Sequence, residues 1–200
     1  IMKKPIVVTA GSLYSDIDVY ACAIAYKELL ELKEIESLLV LEGSLNESIT
    51  KTVKEWGRDY QSKLLGDPEN YHYIIVDISN PEYPSSFVLK KNIIKIYDHR
   101  SGFEYYWKAR LGEDSHIELV GSCATLIWEE FKKEQMDNKI SSESANLLYT
   151  AILSNTLNLK SQNTTKRDIE ALRQLRKHTR LPKNWNMKYF AEVSSGIFAA

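Results

Sequence analysis

The chain has 200 residues, a formal net charge of −1 and a hydrophobic share of 44%, enough apolar matter for one buried core and too little charge excess for a disordered chain. No apolar run is long enough to cross a bilayer, so no membrane association is expected. The two cysteines, Cys22 and Cys123, lie in apolar or small-residue helical surroundings without zinc-type spacing, and no leader precedes the first strand; they read as free buried thiols of a cytoplasmic protein. Ile1, ahead of Met2, is set aside as extraneous.

In chain order, Ile6-Val7-Val8-Thr9 is a short β-branched run that turns at Ala10 and Gly11, and residues 19–30 then form a helix of small and apolar residues. Residues 36–42 read as a second strand, 45–56 as a helix and 57–70 as a loop. Residues 71–76 form a third strand ending on Asp77, and Pro81 and Pro84 keep the next stretch irregular. A fourth strand over 91–97 ends on Asp98-His99-Arg100, and 117–120 form a short fifth. Helices follow over about 123–136, 141–157 and 164–179, then Leu181-Pro182 breaks the chain before a last helix over 186–198. Strands alternating with helices predict an α/β fold: a doubly wound, mainly parallel five-stranded sheet in the order 2-1-3-4-5 with helices on both faces. Residues 3–180 are assigned to this domain, and 181–200 to a helix or linker leading to a second domain that is absent from the chain.

Chemistry gathers at the strand ends. Asp16 and Asp18 stand two residues apart after the first strand; in isolation they read as helix-capping acids. Asp77 and Asp98-His99 close two further strands, and an open α/β sheet binds its ligands at those carboxyl ends. Clustered carboxylates and an imidazole suit divalent cations. Ser122, in a Gly-Ser turn opening a helix, offers free N–H groups to an anion or simply caps the helix.

With those residues in place the chain resembles the DHH phosphoesterase superfamily, nearest to the family II inorganic pyrophosphatases, with exopolyphosphatases and prune-like proteins beside them. Ser15-Asp16-Ile17-Asp18 with its small-residue helix resembles the first motif, Val76-Asp77 the second and Asp98-His99-Arg100 the name-giving third. Ala151-Ile152-Leu153-Ser154-Asn155-Thr156 through Lys160-Ser161 resembles the fourth, preceded by a similar Gly121-Ser122 turn. The resemblance implies hydrolysis of phosphoanhydride bonds by metal-activated water, with Mn2+ (or Mg2+) as the cofactor. It makes Asp16, Asp18, Asp77 and His99 metal ligands, with Asn155 a weak fifth. Asp77, His99 and Arg100 become the catalytic group, and Arg100, Ser122 and Lys160 bind substrate. Asp98 orients His99.

Three positions depart from the family. Ser12 stands where a metal-binding His is expected, Arg100 where a second His faces substrate, and Asn155 where an Asp completes the ligand set. Arginine stays protonated and cannot act as a general acid. Fewer carboxylates imply weak or single-ion binding. Two alternatives follow: a catalytically impaired, prune-like domain that binds phosphate or protein, and a phosphodiesterase acting on short or cyclic nucleotides. The expected partner is a small phosphate-containing substrate; no nucleic acid beyond short oligonucleotides is expected. Tyr105, Tyr106 and Trp107 read as a base-stacking platform, as core, or as a homodimer contact. His72 reads as a structural histidine; His116 and His178 read as surface residues, and the basic helix 166–180 as a solvated face.

Overall fold

A computed structural model describes residues 3–199; Ile1, Met2 and Ala200 lie outside it. Five strands, β1 (Ile6–Thr9), β3 (Ser37–Leu39), β5 (His72–Val76), β6 (Ile93–Asp98) and β7 (Ser115–Ile117), form an all-parallel sheet in the order β3-β1-β5-β6-β7. This is the expected order, with the second and first strands side by side. A short parallel pair, β2 (Tyr14–Ser15) and β4 (Ser44–Leu45), forms a separate sheet that the sequence reading lacked.

Near-continuous apolar strands are what a sheet covered on both faces requires. Val8, Ile74, Val76 and Tyr97 face the larger core, and Val7, Tyr73, Ile75 and Ile96 the smaller. The larger core is built by α1 (Ile17–Leu32), α4 (Cys123–Lys133), α5 (Ser142–Asn155) and α6 (Lys166–Leu175). The other face carries one helix beyond a single turn, α3 (Glu104–Leu111), and is otherwise closed by loop residues such as Leu64, Phe87 and Leu89.

Helix α1 is buried almost all round, between the sheet and α5, which explains its small residues Ala21, Cys22, Ala23 and Ala25. Residues 45–56 are not one helix. Asn46 Oδ1 accepts the Ser48 N–H at 3.0 Å, and the Ser48 hydroxyl accepts the Ile17 N–H at 2.8 Å, tying this turn to the start of α1. Only a single turn, α2 (Lys51–Lys54), remains helical, capped by Thr50. The fifth strand ends earlier than expected because Val120 leaves the sheet and its carbonyl accepts from His99 Nδ1 at 3.2 Å. The last helix, α7 (Trp185–Ala199), starts within the domain's packing: Trp185 and Tyr189 are buried, and Tyr189 donates to the Ser48 carbonyl at 2.8 Å.

Cys22 and Cys123 are buried free thiols, pushed up in pKa by burial, Cys123 to about 12. His116 and His178 are half-buried rather than surface residues: His116 stacks on Tyr97 at 4.6 Å and His178 lies 5.6 Å from the Trp128 ring. No helix among the described residues is long and apolar enough to cross a membrane.

Candidate metal centre

The carboxyl ends of β1, β5 and β6 converge on a cleft of about 290 Å³ lined by Asp16, Asp77, Asp98 and Arg100. The remaining wall is largely apolar, with Leu13, Tyr14, Ile78, Tyr83 and Phe103. Asp77, which lines this cleft, also belongs to a cluster in which ligand atoms of Asp18, Asp77 and His99 lie within 4.8 Å of one another. The sequence separates these residues widely; the parallel sheet brings them together.

Asp77 ends β5 in a left-handed backbone conformation, φ 58°. An Asp in that region is tolerated but costs on the order of 1 kcal/mol, strain of a kind that recurs at functional sites. Its Oδ2 is buried and has no hydrogen-bond partner. Burial, then the Asp18 charge, push the Asp77 carboxyl up to about 7. His99 offers a second unpartnered atom. Its Nδ1 is held by the Val120 carbonyl, which turns Nε2 inward, 3.2 Å from Asp77 Oδ1 and 3.5 Å from Asp18 Oδ2 without hydrogen-bond alignment to either. Burial alone lowers the His99 pKa, but the Asp77 and Asp18 carboxylates outweigh it and raise it to about 9. A ring with one nitrogen fixed to a carbonyl and the other free is the arrangement that metal-binding histidines adopt.

Asp18 is fully buried and heavily bonded. Its Oδ1 accepts from the Ser122 hydroxyl at 2.8 Å and the Ala124 N–H at 2.9 Å, and its Oδ2 from the Cys123 N–H at 2.9 Å. The anion at the start of α4 is therefore Asp18 itself. Ser122, expected to face substrate, is completely buried and caps α4 while donating to Asp18. Asn155 closes α5 and directs its amide nitrogen, not the expected carbonyl oxygen, at Asp18 Oδ2.

The remaining residues fall around this group. Asp16 caps α1 through the Val19 N–H at 2.9 Å and is not one of the three clustered ligands; burial, then Asp18, raise its pKa. Arg100 donates through Nη1 to the Asp77 carbonyl at 3.0 Å, Asp77 Oδ1 at 3.2 Å and Asp98 Oδ1 at 2.8 Å. These carboxylates hold its guanidinium firmly charged, although burial opposes it. Asp98 pairs with Arg100 and accepts from the Ser79 hydroxyl at 2.5 Å; among the described residues no hydrogen bond joins it to the His99 ring it was expected to orient, and the Val120 carbonyl holds that ring instead. Lys160 lines a different groove, with Leu157, Met187 and Phe190. Of the three aromatics, Trp107 is core, donating to the Ser79 carbonyl at 2.6 Å; Tyr106 lies beneath Arg110 at 3.6 Å, and Tyr105 is exposed on α3.

Asp168 went unnoticed at the sequence level. Completely buried, it accepts from the Gly121 N–H at 2.9 Å, the Thr165 N–H at 2.7 Å and the Thr125 hydroxyl at 2.6 Å, joining α6 to the turn that opens α4. Thr165-x-x-Asp168 has capping-box spacing, a signal already visible in the chain. Gly121 is needed there, because a Cβ would lie 2.7 Å from Thr156 Cγ2.

Two buried, unpartnered donor atoms, one from a carboxylate and one from an imidazole, beside the second carboxylate of Asp18 fit a divalent cation bound by oxygen and imidazole ligands. No family model matches the chain. A Lactobacillus acidophilus protein named "Probable manganese-dependent inorganic pyrophosphatase" is 27% identical over 174 residues, covering 84% of this chain and 53% of that protein. A Bacillus pumilus protein of the same name is 28% identical over 173 residues, covering 82% and 53%. The chain spans about half the length of the curated relatives it matches. Among solved structures, a Methanococcus jannaschii protein described as a "putative family II inorganic pyrophosphatase" superposes with a TM-score of 0.71 at 22% identity, over 94% of this chain and 61% of that one. An exopolyphosphatase-related protein from Bacteroides fragilis gives 0.72 at 12% identity, over 93% and 56%. In sequence the chain is similar to the manganese-dependent inorganic pyrophosphatases, and its fold is that of the family II pyrophosphatase-like domain.

Proposed function

We propose that the chain is a metal-dependent phosphohydrolase domain that cleaves phosphoanhydride bonds, with Mn2+ as the preferred cofactor and inorganic pyrophosphate or a short polyphosphate as substrate. The observation that carries this reading is the pair of buried, unpartnered atoms, Asp77 Oδ2 and His99 Nε2, in a cluster with Asp18 that adjoins the cleft through Asp77. A cation bound there supplies Lewis acidity, lowering the pKa of water and neutralising phosphate oxygens. The protein's part is positioning. Val120 fixes the His99 tautomer, the start of α4 holds Asp18, and the left-handed turn at Asp77 aims its carboxylate inward. Arg100 faces the cleft with its Nε and Nη2 edge unpartnered among the described residues, and that edge can bind a phosphate oxygen.

A second reading, a phosphate-binding module without turnover, is favoured by one contact: Asn155 supplies an amide nitrogen where the centre would gain from a carboxylate. Phosphate release from pyrophosphate and tripolyphosphate, and mononucleotide release from a linear dinucleotide, each with Mn2+ or Mg2+, separate the readings. Release from pyrophosphate or tripolyphosphate that requires the metal and disappears in Asp77→Asn supports the hydrolase. Metal-dependent cleavage of the dinucleotide alone moves the substrate to a phosphodiester. No release from any substrate, in this chain and in Asn155→Asp, leaves the binding module.

A further inference from the structure

The two flanks of the Asp77 carboxylate are unequal. On one flank lie Asp18 Oδ2 and the unpartnered His99 Nε2. On the other, the flank that lines the cleft, lies the Arg100 guanidinium; through Nη1 it contacts the Asp77 carbonyl, Asp98 and Asp77 Oδ1, the same oxygen that His99 Nε2 approaches from the buried side. We propose that the centre holds a single divalent cation, on the Asp18–Asp77–His99 flank, and that the Arg100 guanidinium is its built-in second positive charge. This deepens the function proposed above and rests on it.

Hydrolysis of a phosphoanhydride is helped by two positive centres, one at the attacking oxygen and one at the departing phosphate; paired metal ions about 3.5–4 Å apart supply both in many phosphohydrolases. Here the second place is occupied by a side chain. A metal ion on the Arg100 flank would have to break contacts to two carboxylates and a carbonyl, or sit against a fixed like charge. Its ligands would also be poor. Besides Asp77, that flank offers Asp16, whose Oδ1 already accepts the Val19 N–H, and the Ser12 hydroxyl. The opposite flank offers the unpartnered Asp77 Oδ2 and His99 Nε2, with the buried Asp18 carboxylate beside them. Arginine suits the substitute role because it never loses its proton and carries five donors in a rigid plane. With Nη1 bound to the acids, the other edge of the 51% exposed side chain remains for phosphate.

The test uses the full chain, freed of metal and titrated with Mn2+, read by calorimetric stoichiometry and by electron paramagnetic resonance at saturation. One equivalent is expected, with the spectrum of an isolated ion. Arg100→Ala and Arg100→Gln, the latter keeping a donor for Asp98 without the charge, are each expected to take up a second equivalent, seen as spin coupling between neighbouring ions. Two equivalents in the unaltered chain, or one in both variants, overturn the role given to Arg100 while leaving the metal centre standing. No Mn2+ bound to the unaltered chain overturns the metal centre and the function built on it.

Discussion

Asn155→Asp tests the electrostatics of the centre most sharply. In the metal-free protein the Asn155 amide donates to Asp18 Oδ2. The substitution replaces that donor with a carboxylate in contact with another. Two unit charges about 4 Å apart at an effective dielectric of about 20 repel by about 4 kcal/mol. The pair can instead share a proton; holding a carboxyl of ordinary pKa about 3.9 protonated at pH 7 costs about 4 kcal/mol. The two routes give the same ceiling, and local relaxation lowers it to about 3 kcal/mol. For a chain of this size that is a fall of about 6–12 °C in the melting temperature. Manganese reverses the sign, because the added carboxylate becomes a ligand: the variant should bind Mn2+ at least tenfold tighter and regain its stability when the ion is in excess. Thermal melts in chelator and in Mn2+ measure both halves. A variant that melts with the unaltered chain in chelator, or binds Mn2+ no tighter, refutes the placement of Asn155 against Asp18.

Mn2+ affinity should rise with pH. The metal-free protein holds a proton on His99, raised to about 9, and part of one on Asp77, raised to about 7, and the ion needs both sites deprotonated. Affinity is therefore expected to rise about tenfold per pH unit between about 7 and 9 and more steeply below 7, with more than one proton released at pH 7; calorimetry in buffers of different ionisation enthalpy counts the protons, and pH-independent affinity contradicts the reading. Asp168→Ala leaves the Gly121 and Thr165 N–H groups without their acceptor, and should destabilise the chain by about 2–4 kcal/mol in urea while loosening the turn that presents Ser122 and Cys123 to Asp18. A loss under about 1 kcal/mol would show that α6 does not support the site through this residue. His99→Gln should abolish tight Mn2+ binding yet move the metal-free melting point by only a few degrees, since one ring contact to Val120 is lost; unchanged Mn2+ affinity would remove His99 from the ligand set.

The sheet was legible because parallel strands buried on both faces announce themselves as apolar runs, and their connections leave few orders open. The clustering of Asp18, Asp77 and His99 followed from that order, since each closes or follows a strand at the same edge. What the chain concealed was direction. Spacing put Ser122 and Asn155 at the centre and offered the first as a helix cap, without showing that this cap donates to Asp18 or that Asn155 presents nitrogen. Lys160 shared a motif with Asn155, yet three consecutive left-handed residues, Leu157, Asn158 and Leu159, accompany the chain into another groove. The role of Arg100 was half visible: its permanent charge was plain, its attachment to Asp77 and Asp98 was not. Helix α3 was missed because Glu104 to Leu111 mixes aromatic and basic residues, with Trp107 its only buried side chain, so no apolar stripe marks it.

The most direct measurement is an anomalous difference map from a crystal of the chain grown with Mn2+, recorded at the manganese absorption edge. The account predicts a peak enclosed by Asp18, Asp77 and His99 Nε2, with Arg100 still paired to Asp98. No peak at that position, in crystals with the cleft open to solvent, would contradict it.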